Sequence, residues 1–320
     1  SGELPEAATG PVSAGGISAI VVTQFRSRVE TETPMSSRQS GQDLQAGQPR
    51  SRYVKAVGRE VHFTEWGAPG ADAIVMWHGL ARTGRDFDYL ASALSDRFHI
   101  ICPDTIGRGL SEWSDKPDED YCMDAYAQLA AAVADAAGLS KFHFVGTSMG
   151  GALGIRVAAT TLAGRIRRLV INDIGPTFPE APFERIKAYV GSPPEFATVT
   201  ALEDYFRTIY KPFGAHTDAQ WRHMAETSLR RLPSGKITTH YDPAIVRQMF
   251  AHPRDYEQWA HGVPTCVLRG VDSDLLLPDA ARRMTETGPK AKIVEIEGCG
   301  HAPALNVPAQ VAVVRSFLEG

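Results

Sequence analysis

Cysteine is scarce in this chain: Cys102, Cys122, Cys266 and Cys299 are the only four in 320 residues, and none forms a CxxC pair. A chain of this length buries enough apolar surface to fold without staples, so neither a disulfide framework nor a structural zinc site is expected. Reduced thiols and a cytoplasmic setting follow as the reading. A basic excess is also missing. Lys and Arg number 33 against 37 Asp and Glu, a formal net charge of −4. That balance argues against a nucleic-acid partner and leaves no polybasic patch for a membrane surface. Nor does any apolar run approach the roughly 18 residues that a membrane-spanning helix needs. What is present is 43 % hydrophobic and 22 % charged residues, ordinary globular usage, which fits an enzyme best.

The first fifty residues stand apart, being rich in Gly, Ser, Ala, Gln and Thr and poor in aromatics. Their one apolar cluster, residues 17–22, follows Glu3 and Glu6, where a signal peptide would carry positive charge. Residues 1–52 are therefore expected to be a flexible N-terminal extension, with Met35 a candidate native start inside it.

From Tyr53 onward the pattern alternates between strands and helices. Residues 53–57 and 60–66 flank Gly58-Arg59 and suggest a hairpin. Apolar runs at 73–77, 98–102, 142–145, 168–172, 265–268 and 292–296 suit strands buried on both faces. Helical spacing is found at 86–94, 126–137, 152–159, 278–284 and 308–318. Between Gly175 and Gly262 the rhythm breaks: helices are expected at 182–190, 201–210, 218–229 and 242–250, with no convincing strand. Strand–helix alternation implies right-handed crossovers and a mostly parallel sheet, and the helical interruption implies a cap. The expected layout is a flexible segment 1–52, a catalytic core at 53–174 and 263–320, and a helical cap at 175–262.

The chemistry concentrates at strand ends. Gly146-x-Ser148-x-Gly150 falls between a strand and a helix, the setting in which a serine hydroxyl is exposed on a tight turn. Ser148 is the nucleophile candidate, and a serine needs a base to take its proton. His301, in Gly298-Cys-Gly-His-Ala-Pro303 after the final strand, is the base candidate. An acid must then orient the imidazole. Asp274 is preferred and Asp272 is the alternative, both following the strand at 265–268. Asp173, at the end of an earlier strand, is a third option and reads more readily as a structural carboxylate. Donors for a developing oxyanion are expected from the backbone N–H groups of Met149, at a helix N-terminus, and Leu80, in the loop His78-Gly79-Leu80-Ala81. His78 itself is expected to shape that loop.

Taken together, His78-Gly79, Asp104 with Gly107-Arg108-Gly109-x-Ser111, Gly146-Thr-Ser-Met-Gly-Gly151, Ser273-Asp274 and Gly300-His301 resemble the α/β-hydrolase superfamily over about residues 52–320. The resemblance implies an eight-stranded, mostly parallel sheet with an inserted helical cap. It also implies a Ser148–Asp274–His301 triad, an oxyanion hole at Leu80 and Met149, and no metal or organic cofactor. The acidic loop departs from the usual Gly-Glu-x-Asp and reads Gly270-Val-Asp-Ser-Asp274.

A serine at this position disfavours the dehalogenases and epoxide hydrolases of the superfamily, which use Asp, and points to acyl chemistry. Hydrolysis of a carboxylic ester of small or medium size is the leading expectation. Lactone or thioester hydrolysis and meta-cleavage C–C hydrolysis are the alternatives, and a ligand receptor without turnover is the non-enzyme reading. A C–C hydrolase acting on dicarboxylates would need a pocket arginine, for which Arg82 and Arg108 are candidates. In the cap, Tyr205, Phe206, Tyr210, Phe213, Trp221 and Met249 could line an apolar pocket; with Arg82, Tyr205, Tyr210 and Trp221 are the substrate-contact candidates. A small-molecule substrate and a monomer or homodimer are expected.

Overall fold

Short apolar runs closed at each end by turn residues build the central sheet. The computed structural model of the chain describes residues 47–177, 179–250 and 258–320, apart from the side chains of 183, 248–250 and 258. The cluster at 17–22, Met35, nearly all of the expected extension and the side chain of Met249 lie outside the described residues. The strands in chain order are β1 (Arg50–Ala56), β2 (Arg59–Trp66), β3 (Asp72–Trp77), β4 (Phe98–Pro103), β5 (Phe142–Thr147), β6 (Ile166–Asn172), the short β7 (Leu229–Arg231) and β8 (Ile237–Thr239), β9 (Thr265–Gly270) and β10 (Lys292–Ile296). Eight of them form one sheet in the order β1-β2-β4-β3-β5-β6-β9-β10. β2 pairs antiparallel with β1 and β4, and the remaining pairs are parallel. This is the α/β-hydrolase fold.

Helices cover both faces, which is why the central strands are apolar on both sides. The helices are α1 (Asp88–Leu94), α2 (Pro117–Asp120), α3 (Met123–Ala136), α4 (Met149–Ala159), α5 (Glu180–Val190), α6 (Val199–Ile209), α7 (Asp218–Thr227), α8 (Pro278–Glu286) and α9 (Pro308–Glu319). On one face Leu90 and Leu94 of α1 and Val314 and Leu318 of α9 pack with Ile74, Ile100 and Val170. On the other, Leu129 and Val133 of α3 and Leu153 and Val157 of α4 pack with Val75, Phe144 and Ile171. Cys102 and Cys266 are buried in β4 and β9. Among the described residues, no helix is long and apolar enough to cross a membrane.

Between β6 and β9 the chain makes its own small core from Leu202, Phe206, Tyr210, Trp221, Ala225 and Ile237. Thr217 starts α7 through a reciprocal capping box: its hydroxyl accepts the Gln220 N–H at 3.2 Å, and the Gln220 side chain accepts the Thr217 N–H at 2.8 Å. One expectation needs correction here. This region does contain strands, β7 and β8, paired antiparallel around a turn in which Gly235 has φ 82°. Three-residue strands are too short to show a period-two pattern, so the sequence hid them. The helix expected at 242–250 is present as a 3-10 helix, Pro243–Phe250.

Leu202 is fully buried in this core. Leu202→Ala should cost about 2–5 kcal/mol, the usual penalty for emptying such a site, as read from the urea unfolding midpoint.

Candidate active site

The carboxyl ends of β5, β6 and β9 and the loop after β10 meet at one point, and the local sequence explains how. Ser148 sits between β5 and α4 with φ 53° and ψ −115°, a left-handed conformation rare for a residue with a side chain. The turn closes only because its neighbours are small. A Cβ on Gly146 would lie 2.2 Å from the Gly150 carbonyl oxygen, and one on Gly150 would lie 2.0 Å from that of Trp77. The Ser148 N–H donates to the Asn172 carbonyl at 2.9 Å, tying the turn to β6.

The Ser148 hydroxyl lies 2.7 Å from His301 Nε2. The other ring nitrogen, Nδ1, lies 2.8 Å from Asp173 Oδ2. A carboxylate only accepts, so Nδ1 carries the proton and Nε2 is free to accept from Ser148. Asp173 directly follows β6, has φ 58° and is wholly buried. Its Oδ1 accepts the Gly270 N–H at 2.8 Å, and its Oδ2 also accepts the Ser273 hydroxyl at 2.5 Å. Ser273 is fixed in turn by accepting the N–H groups of Leu275 and Leu276 at 3.3 and 3.1 Å. Asn172 steadies the histidine loop by donating from Nδ2 to the Pro303 carbonyl at 2.7 Å.

Asp274 is therefore not the residue that meets His301. It lies on the cavity wall, half exposed, paired with Arg185 of α5 at 2.7 Å. Asp272 also lines the cavity, and its N–H donates to the Cys299 carbonyl. The physical reason is adjacency: β6 and β9 are hydrogen-bonded neighbours, with Asn172 opposite Leu268. A carboxylate leaving either strand can reach the histidine, and the one from β6 fills the place.

The loop after β3 borders the serine, since a Cβ on Gly79 would lie 3.8 Å from Ser148 Cβ. His78 is fully buried and shapes this loop. Its Nε2 accepts the Thr105 N–H at 2.9 Å, so Nδ1 donates to the Gly79 carbonyl at 2.6 Å. Burial pushes its pKa down to about 4, keeping the ring neutral. Arg108 is buried and donates from Nε to the Leu80 carbonyl at 2.9 Å, with one Nη 3.7 Å from the Met149 sulfur. It thus holds both residues whose N–H groups were expected to face an oxyanion. Asp104 braces the next turns by accepting the N–H groups of Gly84 and Leu110 at 2.8 and 2.9 Å.

Above the serine lies a cavity of about 420 Å³ with apolar walls that include Ile174, Ile186, Val190, Phe213, Met224 and Leu275. Leu80, Met149, Arg82 and Tyr210 line it, whereas Tyr205 and Trp221 do not. Tyr205 and Trp221 pack within the core of the inserted segment, where Trp221 stacks on His216 at 4.2 Å. Arg82 is buried under a bidentate pair with Asp86, reaches Ser228 at 3.0 Å and lies 4.8 Å from the Tyr210 ring.

A family model described as alpha/beta hydrolase matches residues 74–314. The chain belongs to the alpha/beta hydrolase family. This hydrolase is 34 % identical over 292 residues to the 3-hydroxybutyrate-oligomer hydrolase of Cupriavidus necator, a match covering 85 % of this chain and 98 % of that protein. It is 30 % identical over 257 residues to the N-formylmaleamate deformylase of Pseudomonas putida, covering 78 % and 88 % respectively. Among solved structures, an alpha/beta hydrolase from Novosphingobium aromaticivorans superposes with a TM-score of 0.76 at 30 % identity, covering 86 % of this chain and 99 % of that one.

Sequence reasoning set Asp173 below Asp274 and did not single out Asn172, Arg185 or the hydroxyl of Ser273. The one local signal for Asp173 was its place after an apolar strand, and Asp272 and Asp274 also follow one, two and four residues past the end of β9.

The buried histidines of the hydrolase also set how its stability responds to acid. His78 and His261 both have folded pKa values of about 4 because burial disfavours their charged forms. Unfolded, they take up protons near pH 6.5. Their contribution to stability is therefore intact above about pH 6.5 and declines as pH falls towards 4. The urea midpoint should drop across that window, and His78→Gln should flatten the drop while lowering stability at pH 8.

Proposed function

We propose that this hydrolase cleaves carboxylic esters through an acyl-enzyme on Ser148, acting on small esters of hydroxy acids. The observation that carries the reading is the unbroken hydrogen-bond chain from Ser148 through His301 to Asp173. His301 takes the Ser148 proton as Oγ attacks the ester carbonyl. The oxyanion forms beside the N–H groups of Leu80 and Met149; the latter begins α4, so its N–H has no acceptor within the helix. His301 then passes its proton to the departing alcohol, and a water activated by the same imidazole releases the acid. Asp173 keeps Nδ1 protonated and offsets the charge on the imidazolium.

One finding favours ester chemistry on hydroxy acids: the Cupriavidus relative, matched over almost its whole length, acts by its name on 3-hydroxybutyrate oligomers. Of the two arginines considered for a dicarboxylate in the C–C alternative, Arg82 is bound to Asp86, and Arg108 is enclosed with its guanidinium on the carbonyls of Leu80 and Ile106.

The test is steady-state hydrolysis of a nitrophenyl ester series and of linear 3-hydroxybutyrate dimers. Ser148→Ala and Asp173→Asn should each lower kcat by on the order of 10⁴-fold, since the three groups act as a unit. Asp274→Asn should do far less damage to nitrophenyl ester turnover than Asp173→Asn. Equal losses at the two aspartates, or a wild-type enzyme inert towards every ester, would overturn the reading.

A further inference from the structure

We propose that Arg185 and Asp274 form a carboxylate-selective subsite on the cavity wall, with Arg185 binding the free carboxylate of the ester substrate in place of Asp274. This deepens the ester reading and rests on it. Several cations surround the cavity. Arg82 is buried and doubly bonded to Asp86. Arg85 is paired with the buried Asp88 at 2.6 Å, and the same carboxylate accepts His223 at 2.7 Å. His216 is held on the Gly214 carbonyl at 3.0 Å. Each is engaged: Arg82 is itself buried and bound through two nitrogens to Asp86, whose side chain is 23 % exposed, Arg85 and His223 meet a buried carboxylate, and His216 meets backbone.

Arg185 differs. Its side chain is 61 % exposed, and its partner Asp274 is 45 % exposed. An ion pair so open to water contributes little net stability, because both charges are well solvated apart. An incoming carboxylate can therefore take Asp274's place at small cost, and the planar guanidinium suits a two-point grip on it. The pair also joins the cap helix α5 to the loop after β9, on the cavity that Ser148 and His301 line. A linear hydroxy-acid oligomer carries one carboxylate at its end, so a cation on this wall would favour such chains over neutral esters. Asp274 then acts as a stand-in anion that the substrate must displace.

This assigns opposite effects to the two side chains. The substrates are the linear 3-hydroxybutyrate dimer and its methyl ester, which share the same internal ester and differ in the terminal charge, with products resolved by chromatography. The kcat/KM ratio of dimer to methyl ester should fall about tenfold in Arg185→Gln, the scale of one lost charge-assisted hydrogen bond. Arg185→Lys should give a smaller fall, and Asp274→Asn should raise the ratio. A ratio unchanged in Arg185→Gln, or lowered in Asp274→Asn, would overturn the subsite. Calorimetric binding of 3-hydroxybutyrate to the wild type and to Arg185→Gln reads the site without turnover. Weaker binding in the variant supports it even if the ester reading fails, and equal binding overturns it.

Discussion

A buried carboxylate organises this molecule's functional end. Asp173 has no exposure to solvent, and an uncompensated charge there would cost several kcal/mol. Three donors resolve the problem, two from the end of β9 and the turn that follows it and one from the loop after β10: the Gly270 amide, the Ser273 hydroxyl and the His301 ring. Satisfying one side chain therefore fixes the end of β9, the loop that follows it and the loop after β10. The histidine's tautomer is settled by the same contact. The geometry at Ser148 is thus a downstream result of how Asp173 is solvated by protein.

The other half of the site is organised by a cation. Arg108 sits inside the core, and its guanidinium is spread over the Leu80 and Ile106 carbonyls, the Tyr126 hydroxyl and the Met149 sulfur. Those contacts fix the loop after β3 against the start of α4. Arg82, two residues beyond Leu80, reaches across to Ser228 and the rings of Phe206 and Tyr210. One loop is consequently braced from below by the core and from above by the inserted segment.

Much of this was legible in the sequence. The sheet and its flanking helices were visible because buried strands must be apolar and amphipathic helices periodic. Ser148 and His301 were visible because glycines around a strand–helix junction and a glycine-flanked histidine loop leave few alternatives. Asp173 was not, because the choice between carboxylates depends on which strand ends are neighbours, and β6 and β9 are separated by more than ninety residues of chain. The pairing of Asn172 with Leu268 is a tertiary fact. Trp221 and Tyr205 misled for a related reason: aromatic residues at helical spacing serve a helical segment's own core equally well. Strands β7 and β8 were too brief to leave a pattern.

Among the described residues, five that are not glycine have positive φ, and Ser148 and Asp173 are two of them. Both stand at the carboxyl ends of adjacent parallel strands and both belong to the hydrogen-bonded chain. Neither would choose that backbone shape alone, so the packing around them holds a conformation that costs of order 1–3 kcal/mol at each position. The other three, Val57, Lys290 and Leu305, lie elsewhere, but only Ser148 and Asp173 stand side by side, one on each of two neighbouring strand ends. Two strained turns are thus placed next to each other at the end of the sheet, and the well-packed strands beneath are what hold them there.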